Sequence, residues 1–306
     1  MYKRQYADAA SNEATNKYFQ SSEAVLALGV IFTDDYLTIL EDQFADIISV
    51  DVEKARVGFE YYKNIALPQF IDGITAAFEN SGDFPKEPAL PLLPSIPAIT
   101  KELLAKPLGY ETFFDVFYGY LVEQSEVDNT NFILGESSSL YQAARLIGLP
   151  QDSFIGDAAW GSLGHETGCV TGTSMANSKR SMVVAGDGGF MMMCQSLSTV
   201  ARNKLNSILF VMSNEVYAIE QSFVDVCAFT PNGKFAPFDE LPTWDYLSLA
   251  KAYGLKGHRV CTCEELYAVL QILIANPARG ALVEVVISEH DLAPALGDLA
   301  VSYTHL

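Results

Sequence analysis

Two apolar runs in the second half of the chain have the pattern of buried parallel strands. The first covers residues 181–185 and leads into the glycine-rich turn 186–189, after which helical spacing extends from about Phe190 to Asn203. The second covers residues 208–212. Continuous β-branched and aliphatic runs are typical of strands that are covered on both faces. The pattern therefore predicts a strand–helix–strand unit with two adjacent parallel strands.

The residues that follow these two strands carry oxygen ligands. Ligands of open α/β sheets bind at the carboxyl ends of the strands, so Asp187 and Asn214 can meet although each follows its own strand. Gly188 and Gly189 let backbone N–H groups approach a phosphate at a helix N-terminus. Carboxylate and amide oxygens are ligands that Mg²⁺ takes alongside phosphate oxygens. A magnesium–phosphate site is predicted here, although a glycine-rich turn alone is as often structural.

Patterning in the rest of the chain predicts two folded units joined by a proline-rich stretch. Residues 24–30 and 47–52 have the pattern of strands and residues 67–78 that of a helix, as in any Rossmann-like half-domain. The stretch that follows contains Pro85, Pro88, Pro91, Pro94, Pro97 and Pro107. Dense proline removes backbone donors and favours an extended path, which indicates a linker more than a peptide-recognition motif.

The second unit alternates helices and strands. Helices are predicted at 110–124, 244–254 and 264–275, strands at 132–135, 154–155 and 281–287, and a last helix from about Asp291. The predicted domains are a partial Rossmann-like central domain at 6–80, a linker at 81–107 and an α/β domain with a doubly wound parallel sheet at 108–300. Residues 1–5 and 301–306 belong to no periodic element, and we expect the chain to be a fragment of a longer gene.

Composition narrows the functional classes. The chain of 306 residues has 19 Lys+Arg against 38 Asp+Glu, a net charge of −19, which argues against nucleic acid as a partner. Mean hydropathy is +0.15, and no apolar run reaches the roughly 18–20 residues of a membrane span, so no membrane partner is expected. Among the five cysteines, Cys261 and Cys263 are interpreted as ordinary thiols, which fits a reducing, cytoplasmic location.

Residues 186–214 resemble the cofactor signature of the thiamine-diphosphate (ThDP) enzymes, which begins with GDG and ends in Asn-Asn. This chain has Ser213 where the family usually has the first asparagine. The resemblance implies that ThDP and Mg²⁺ are held by Asp187, Gly188, Gly189, Asn214 and the backbone carbonyl of Val216. Family members often carry glycine at the position of Val216, and the loop there is expected to differ.

A second segment, Trp160-Gly161-Ser162-Leu163-Gly164, is similar to the WGSIG of pyruvate and indolepyruvate decarboxylases within this class. In them a bulky aliphatic residue props thiamine in a bent shape, which lets the cofactor's imino nitrogen act as an intramolecular base. The resemblance gives that role to Leu163 and makes the Gly161 carbonyl an acceptor for the 4′-amino group. A buried leucine is otherwise simply part of a core.

A serine run follows the predicted strand at 132–135. The decarboxylases have an acidic residue there, followed by x-Gly-Thr-Ser, and this chain reads Glu136-Ser137-Ser138-Ser139. The resemblance implies that Ser139 contacts the diphosphate and that Ser137 belongs to the substrate pocket. From composition alone, a run of serines indicates a loop.

The segment after Asn214 ends in Glu220 and is similar to the N-x-G-Y-T-I-E of the decarboxylases. The resemblance assigns Glu220 to assisting the loss of CO₂ and protonating the product, which requires a raised pKa in an apolar pocket. The alternative is a solvated glutamate in the first turn of a helix. Ile219, also assigned to the cofactor, and Phe223 are expected to face the substrate. Residues 224–242 form a longer loop than in well-known decarboxylases and are expected to reshape the mouth of the site.

The resemblance implies a ThDP- and Mg²⁺-dependent, non-oxidative 2-oxo acid decarboxylase, a carbon–carbon lyase that yields an aldehyde and CO₂. The family's histidine pair and its cofactor-activating glutamate lie in an amino-terminal domain outside this chain, so we expect the isolated chain to show no turnover. Because that glutamate comes from a neighbouring subunit, a homodimer or homotetramer with a shared active site is expected. The alternatives are a carboligating enzyme of the acetolactate synthase or benzaldehyde lyase type and a non-catalytic ThDP-fold subunit.

Overall fold

The chain folds into two compact units. The computed structural model describes residues 6–33, 36–82, 95–136, 138–150 and 152–304. The units comprise Met1–Pro94 and Ser95–Leu306. Residues 95–107 thus group with the second unit, and the predicted linker bounds stay a prediction. Pro85, Pro88, Pro91 and Pro94 lie outside the described residues.

The first unit is built on a four-stranded mixed sheet. Its strands, in spatial order, are β1 (Val25–Leu28), β2 (Ile47–Val50), β3 (Lys54–Val57) and β4 (Glu60–Lys63). β1 and β2 run parallel, and the other pairs are antiparallel. Its helices are α1 (Glu13–Gln20), α2 (Leu37–Asp42) and α3 (Leu67–Ser81). β3 and β4 were not predicted. All four residues of β4 are exposed, and the two buried residues of β3 are adjacent, so neither strand shows an alternation of apolar and polar positions.

The second unit is built on a six-stranded sheet in which every strand is parallel to its neighbours. The strands are β5 (Thr130–Leu134), β6 (Phe154–Ile155), β7 (Arg180–Gly186), β8 (Ile208–Ser213), β9 (Lys256–Val260) and β10 (Ala281–Val286). Their spatial order is β6-β5-β7-β8-β10-β9. The helices are α4 (Lys101–Leu104), α5 (Tyr110–Glu123), α6 (Ser138–Ala143), α7 (His165–Ala176), α8 (Asp187–Met193), α9 (Ser196–Arg202), α10 (Ala218–Asp225), α11 (Tyr246–Tyr253), α12 (Cys263–Ala275) and α13 (Pro294–Thr304).

Helices cover both faces of this sheet. Successive strand residues point to opposite faces, and Leu209 packs in one core cluster with Phe190 of α8. Its neighbour Phe210 contacts the rings of Phe113 and Phe117 in α5, with centroids 5.4 and 5.3 Å apart. The predicted α/β fold with a doubly wound parallel sheet is confirmed.

The register of β7 and β8 brings their carboxyl ends side by side. Gly186, the last residue of β7, is paired with Met212, the penultimate residue of β8. The residues that follow, Asp187 and Asn214, therefore leave the sheet at the same edge. Both strands are covered on each face, and this register aligns their buried runs.

The segment predicted to be helical from about Phe190 to Asn203 is helical but interrupted. Two helices, α8 and α9, occupy this segment with a break at Cys194 and Gln195. At the break, the N–H of Leu197 and that of Ser198 each donate to a carbonyl three residues earlier, which tightens the turn. This break allows Phe190 of α8 and Leu197 of α9 to enter the same core cluster.

Other differences from the predicted elements have local causes. α11 begins at Tyr246, two residues later than predicted, because the Asp245 side chain caps it by accepting from the Ser248 N–H. β9 was not predicted because it is an edge strand whose sequence, KGHRV, carries no apolar alternation. Residues 301–304 were expected to be irregular, but their backbone continues α13.

The described ranges contain no helix that combines the length and the apolar character needed to cross a bilayer. Five free cysteines are present, and Cys263 is the buried one. Over the same ranges, no group of three or more histidine, cysteine, aspartate or glutamate side chains is arranged to hold a metal ion. A metal site in this chain would therefore need amide or carbonyl oxygens as well.

We predict that Phe210→Ala lowers the free energy of unfolding by about 3–5 kcal/mol, because it leaves a cavity between β8 and α5. Phe210 is fully buried, so the cavity cannot be filled by solvent at the surface. Chemical denaturation measures the change. Val122→Ala, at an exposed position of the same helix, is the matched control and should change stability by no more than about 0.5 kcal/mol. Equal effects of the two substitutions would contradict the proposed packing.

Candidate functional site

The carboxylate of Asp187 connects the ends of β7 and β8. Its Oδ1 accepts from the N–H of Gly188 at 3.0 Å, and its Oδ2 accepts from the N–H of Glu215 at 2.6 Å. The side chain is buried, and burial raises the pKa of Asp187 to about 6, with the backbone N–H groups of Glu215, Gly188 and Asn214 acting in the opposite direction. The ionised carboxylate is thus only partly compensated by its hydrogen bonds.

Asn214 lies beside this carboxylate with part of its side chain unpaired. The residue is 3% exposed, and its Nδ2 finds no hydrogen-bond partner among the described residues. A buried polar group left unpaired costs about 1–3 kcal/mol. Asp187 and Asn214 line one groove, so the predicted meeting of a carboxylate and an amide at one sheet edge is present in the structure.

The groove runs along the carboxyl ends of the central strands. It encloses about 30 Å³ at its floor and about 370 Å³ when the space open to solvent is included. Its lining residues are Tyr110, Glu136, Leu163, Gly186, Asp187, Gly188, Gly189, Asn214, Val216, Tyr217, Ala218, Ile219 and Glu220. The enclosed volume has room for a cation or one to two waters.

The two glycines after Asp187 are required by close side-chain contacts. A Cβ at position 188 would overlap the ring of Tyr217. A Cβ at position 189 would lie 2.8 Å from Oε1 of Glu166. The sequence suggested that Gly188 and Gly189 admit a phosphate, and the structure gives them a packing role as well.

Several residues predicted for the site line the groove. Leu163, Val216 and Ile219 do so, and Glu220 faces it from the first turn of α10. Glu220 is exposed, so the described residues of this chain do not form the apolar pocket that its predicted role requires.

Other predicted residues lie away from the groove lining. Phe223 is 40% exposed on α10, one turn beyond Ile219. Gly161 is exposed, with a φ of 57°, and approaches the side chain of Glu136. Ser139 is buried in α6, and its Oγ has no hydrogen-bond partner in the described part of the chain. Ser137 falls outside the described residues.

Tyr110 was not predicted and lies on the groove. It begins α5, where its N–H donates to the carboxylate of Asp291 at 2.7 Å. Burial raises the pKa of Tyr110, and the charge of Asp187 adds to the shift. Only the tertiary fold brings this residue to the site, and its local sequence contains no signal for the contact.

Glu166 is a second buried carboxyl beside the groove. It is 1% exposed, and its Oε2 lies 3.5 Å from Nδ1 of His165. Burial raises the pKa of Glu166, while the N–H groups of Glu166 and Gly164 and the neighbouring His165 lower it in part. Its contact with Gly189 places it directly behind the glycine-rich turn. A His-Glu pair after WGSLG was visible in the sequence, but nothing there indicated burial.

The long loop 224–242 packs against the turn that follows β8. Val216 and Glu240 form an antiparallel bridge, the N–H of Tyr217 donates to the carbonyl of Asp239 at 2.8 Å, and the N–H of Leu241 donates to the carbonyl of Glu215 at 2.8 Å. The loop therefore pairs with the backbone around Val216, one of the three predicted metal ligands.

This pairing explains how a valine replaces the expected glycine. The left-handed conformation in the turn falls on Glu215, with a φ of 60°, whereas Val216 keeps a negative φ and is buried beneath the loop. A hydroxyl from Thr243 also donates to the Glu215 carboxylate at 2.8 Å. β-branched residues favour such extended, paired positions, so the Val216 backbone carbonyl needs no glycine.

Comparisons with known proteins agree with this architecture. Residues 137–285 match the family described as thiamine pyrophosphate enzyme, C-terminal TPP binding domain, where thiamine pyrophosphate is another name for ThDP. The predicted resemblance to ThDP enzymes is confirmed.

Among curated proteins, a pyruvate decarboxylase of Aspergillus fumigatus is 25% identical over 280 residues, which cover 87% of this chain and 46% of the relative. An alpha-keto-acid decarboxylase of Mycobacterium bovis is 24% identical over 303 residues, which cover 96% of this chain and 51% of the relative. The chain thus spans about half the length of these curated relatives.

A solved structure shares the fold. The crystal structure of benzoylformate decarboxylase from Polynucleobacter necessarius matches with a TM-score of 0.66 and 20% sequence identity. The match covers 91% of this chain and 51% of that protein. At this identity the likeness establishes the arrangement of strands and helices, and the chemistry has to be argued from the residues themselves.

We predict that Gln221→Leu loosens the loop from the turn after β8. The buried Oε1 of Gln221 accepts from the N–H of Ala236 at 2.6 Å, and its loss leaves that N–H unpaired. Hydrogen exchange of residues 236–241 should become at least about fivefold faster. Gln271→Leu, at an exposed position of α12, is the control and should leave exchange in this segment unchanged. Unaltered hydrogen exchange of residues 236–241 in Gln221→Leu would refute the view that Gln221 holds the loop in place.

A second substitution, Glu166→Gln, should remove a pH dependence of folding. Because the folded-state pKa of Glu166 is raised above its ordinary value, its contribution to stability is fully present below about pH 4.5 and is lost as pH rises through the folded-state pKa. The stability of the variant relative to the wild type should therefore increase as pH rises from about 4.5 through the folded-state pKa of Glu166. Denaturant unfolding at several pH values measures the difference, with Glu264→Gln at an exposed position as control. A pH-independent difference would contradict the raised pKa.

Proposed function

On the premise that residues 137–285 match the cofactor-binding domain of thiamine pyrophosphate enzymes, we propose that this chain serves a ThDP- and Mg²⁺-dependent, non-oxidative decarboxylation of a 2-oxo acid to an aldehyde and CO₂. The observation that carries the proposal is the meeting of the Asp187 carboxylate and the Asn214 amide in one groove, with Glu220 on the same groove. The names of the two curated relatives, both decarboxylases, point to the same reaction.

The groove residues fit a divalent cation. The buried charge of the Asp187 carboxylate is incompletely offset by its hydrogen bonds, so a cation would stabilise it, and the side-chain oxygen of Asn214 can serve as a neutral ligand. We assign Mg²⁺ to Asp187, Asn214 and the backbone carbonyl of Val216. The unpaired hydroxyl of Ser139 and the turn formed by Gly188 and Gly189 suit the diphosphate. When bound, ThDP supplies the electron sink that loss of CO₂ from a 2-oxo acid requires.

The remaining assignments concern orientation and proton transfer. Leu163 and the carbonyl of Gly161 are assigned to holding the thiamine portion, and Ile219, Phe223 and Ser137 to the substrate side. Glu220 is assigned to donate the proton that completes the aldehyde. A carboxyl is tuned for that step by desolvation, so we propose that a second subunit covers this exposed residue. Homodimeric or homotetrameric assembly and a cytoplasmic location belong to the same proposal, as does the lack of turnover by this chain alone.

A non-catalytic ThDP-fold subunit is the alternative that a specific observation favours. The ring of Tyr217 lies against Gly188 at the position where backbone N–H groups would face a diphosphate, and the groove floor is narrow. In that case the chain would bind neither the cofactor nor Mg²⁺ with useful affinity. Aldehyde release from a 2-oxo acid, assayed on the complete gene product, distinguishes the decarboxylase from this alternative, and formation of a ligated ketone would indicate a carboligating enzyme.

We predict that Asp187→Ala weakens binding of ThDP in the presence of Mg²⁺ by at least about tenfold, because the metal loses its charged ligand. Titration calorimetry of the chain measures the affinity. Asp128→Ala removes an equal charge from an exposed position and should bind like the wild type. Two results would contradict the cofactor assignment: equal affinities of the wild type and Asp187→Ala, or no binding by the wild type at about 1 mM cofactor.

A further inference from the structure

A second cavity lies at the amino-terminal ends of β9 and β10. It has a volume of about 310 Å³ and is bordered by Lys256 and Ala281, the first residues of these two strands. The cofactor groove lies at the opposite, carboxyl ends of the strands, a distance on the order of 15–20 Å for a strand of this length. The two cavities therefore present separate surfaces of the second unit.

The side chains around this cavity are positively charged or neutral. Lys256, His258 and Arg279 line it, and no aspartate or glutamate does. Neither Lys256 nor Arg279 forms an ion pair with a carboxylate in the described part of the chain. This is unexpected on a chain with 38 acidic and 19 basic residues, because chance would place acidic groups near most cations.

A buried arginine adds to this positive charge. Arg180 is 8% exposed and donates to the carbonyl of Leu273, a residue of the cavity wall, at 2.8 Å and to the carbonyl of Asn206 at 2.7 Å. Its Nη2 has no hydrogen-bond partner, and no described carboxylate lies within ion-pair distance of it. Glu126 offsets this buried charge only in part, from beyond ion-pair distance, and burying an incompletely offset cation is costly.

The negative ends of nearby helix dipoles do not neutralise this positive charge. α11 and α12 end just before the residues that border the cavity, and each helix C-terminus carries about half a negative charge. Two such ends offset about one cation, whereas Lys256 and Arg279, which line the cavity, supply two. An excess of positive charge remains at the cavity.

We propose that this cavity binds a small organic anion, a phosphate ester or dicarboxylate with a short carbon skeleton. Lys256 and Arg279 would hold the anionic head group, the charge of Arg180 lies behind the wall at Leu273, and Ile272, Leu273 and Ala281 provide apolar walls for the carbon chain. The volume is near the lower end of the roughly 300–1,000 Å³ of small-molecule sites. A nucleic acid does not fit a chain with a net charge of −19. The proposal does not depend on the decarboxylase function.

Titration calorimetry of the intact chain with glycerol 3-phosphate and, separately, with succinate tests this proposal. Saturable binding of either anion is expected, and the ligand that binds identifies the head group. The double variant Lys256→Gln/Arg279→Gln should weaken binding by at least about tenfold. Arg202→Gln/Lys251→Gln makes the same change of charge at exposed positions outside the cavity and should stay within about twofold of the wild type.

A second pair of variants tests the cavity by adding a charge. Ala278→Asp places a carboxylate on the wall and should abolish binding, whereas Ala252→Asp, on an exposed face of α11, should not. Circular dichroism verifies that each variant is folded. Absence of saturable binding of both anions up to about 10 mM, or equal affinities of the cavity variants and their controls, overturns the proposal.

Discussion

The hydrogen bond from the N–H of Glu215 to the carboxylate of Asp187 is the contact on which the candidate site depends. It joins the ends of two strands that are separate in sequence and holds the turn after β8 in a conformation with a φ of 60° at Glu215. The carboxylate is buried and its charge is only partly offset, as its raised pKa indicates. The fold thus maintains a negative charge that its own hydrogen bonds do not satisfy, and this is the condition that favours a bound cation.

The sequence contained enough information to place Asp187 and Asn214 together because the strands before them are buried on both faces. Such strands appear as uninterrupted apolar runs, and a parallel arrangement puts their carboxyl ends at one edge. Tyr110 and Glu166 could not be placed in the same way. Tyr110 reaches the groove from the start of α5, and Glu166 is buried by contacts with glycines from other segments. Contacts of this kind arise from the packing of helices on the sheet and leave no periodic signal in the sequence.

Ser213 and Val216 differ from the residues usual in ThDP enzymes, and the sequence alone did not show what conformation the turn after β8 adopts. In the structure, the longer loop, which was expected to reshape the mouth of the site, pairs with this turn from Glu215 to Tyr217. The pairing accommodates a β-branched residue at position 216, on the lining of the groove. Two sequence departures, the valine and the longer loop, are therefore explained by one structural arrangement. A reader of the sequence would have had to consider them jointly, although more than 20 residues separate Val216 from Glu240.

Glu220 and its surroundings are open to solvent in this chain. A carboxyl that donates a proton near neutral pH needs an apolar, desolvated environment, and Glu220 is exposed in this chain. Two large apolar side chains are also exposed: Phe223, three residues after Glu220, by 40%, and Trp160, at the start of the segment Trp160–Gly164, by 81%. Exposed aromatic residues beside a functional groove are typical of surfaces that bind another protein surface. If another protein surface covered Trp160 and Phe223, the same contact would remove water from Glu220. Assembly would then also raise the pKa of that carboxyl.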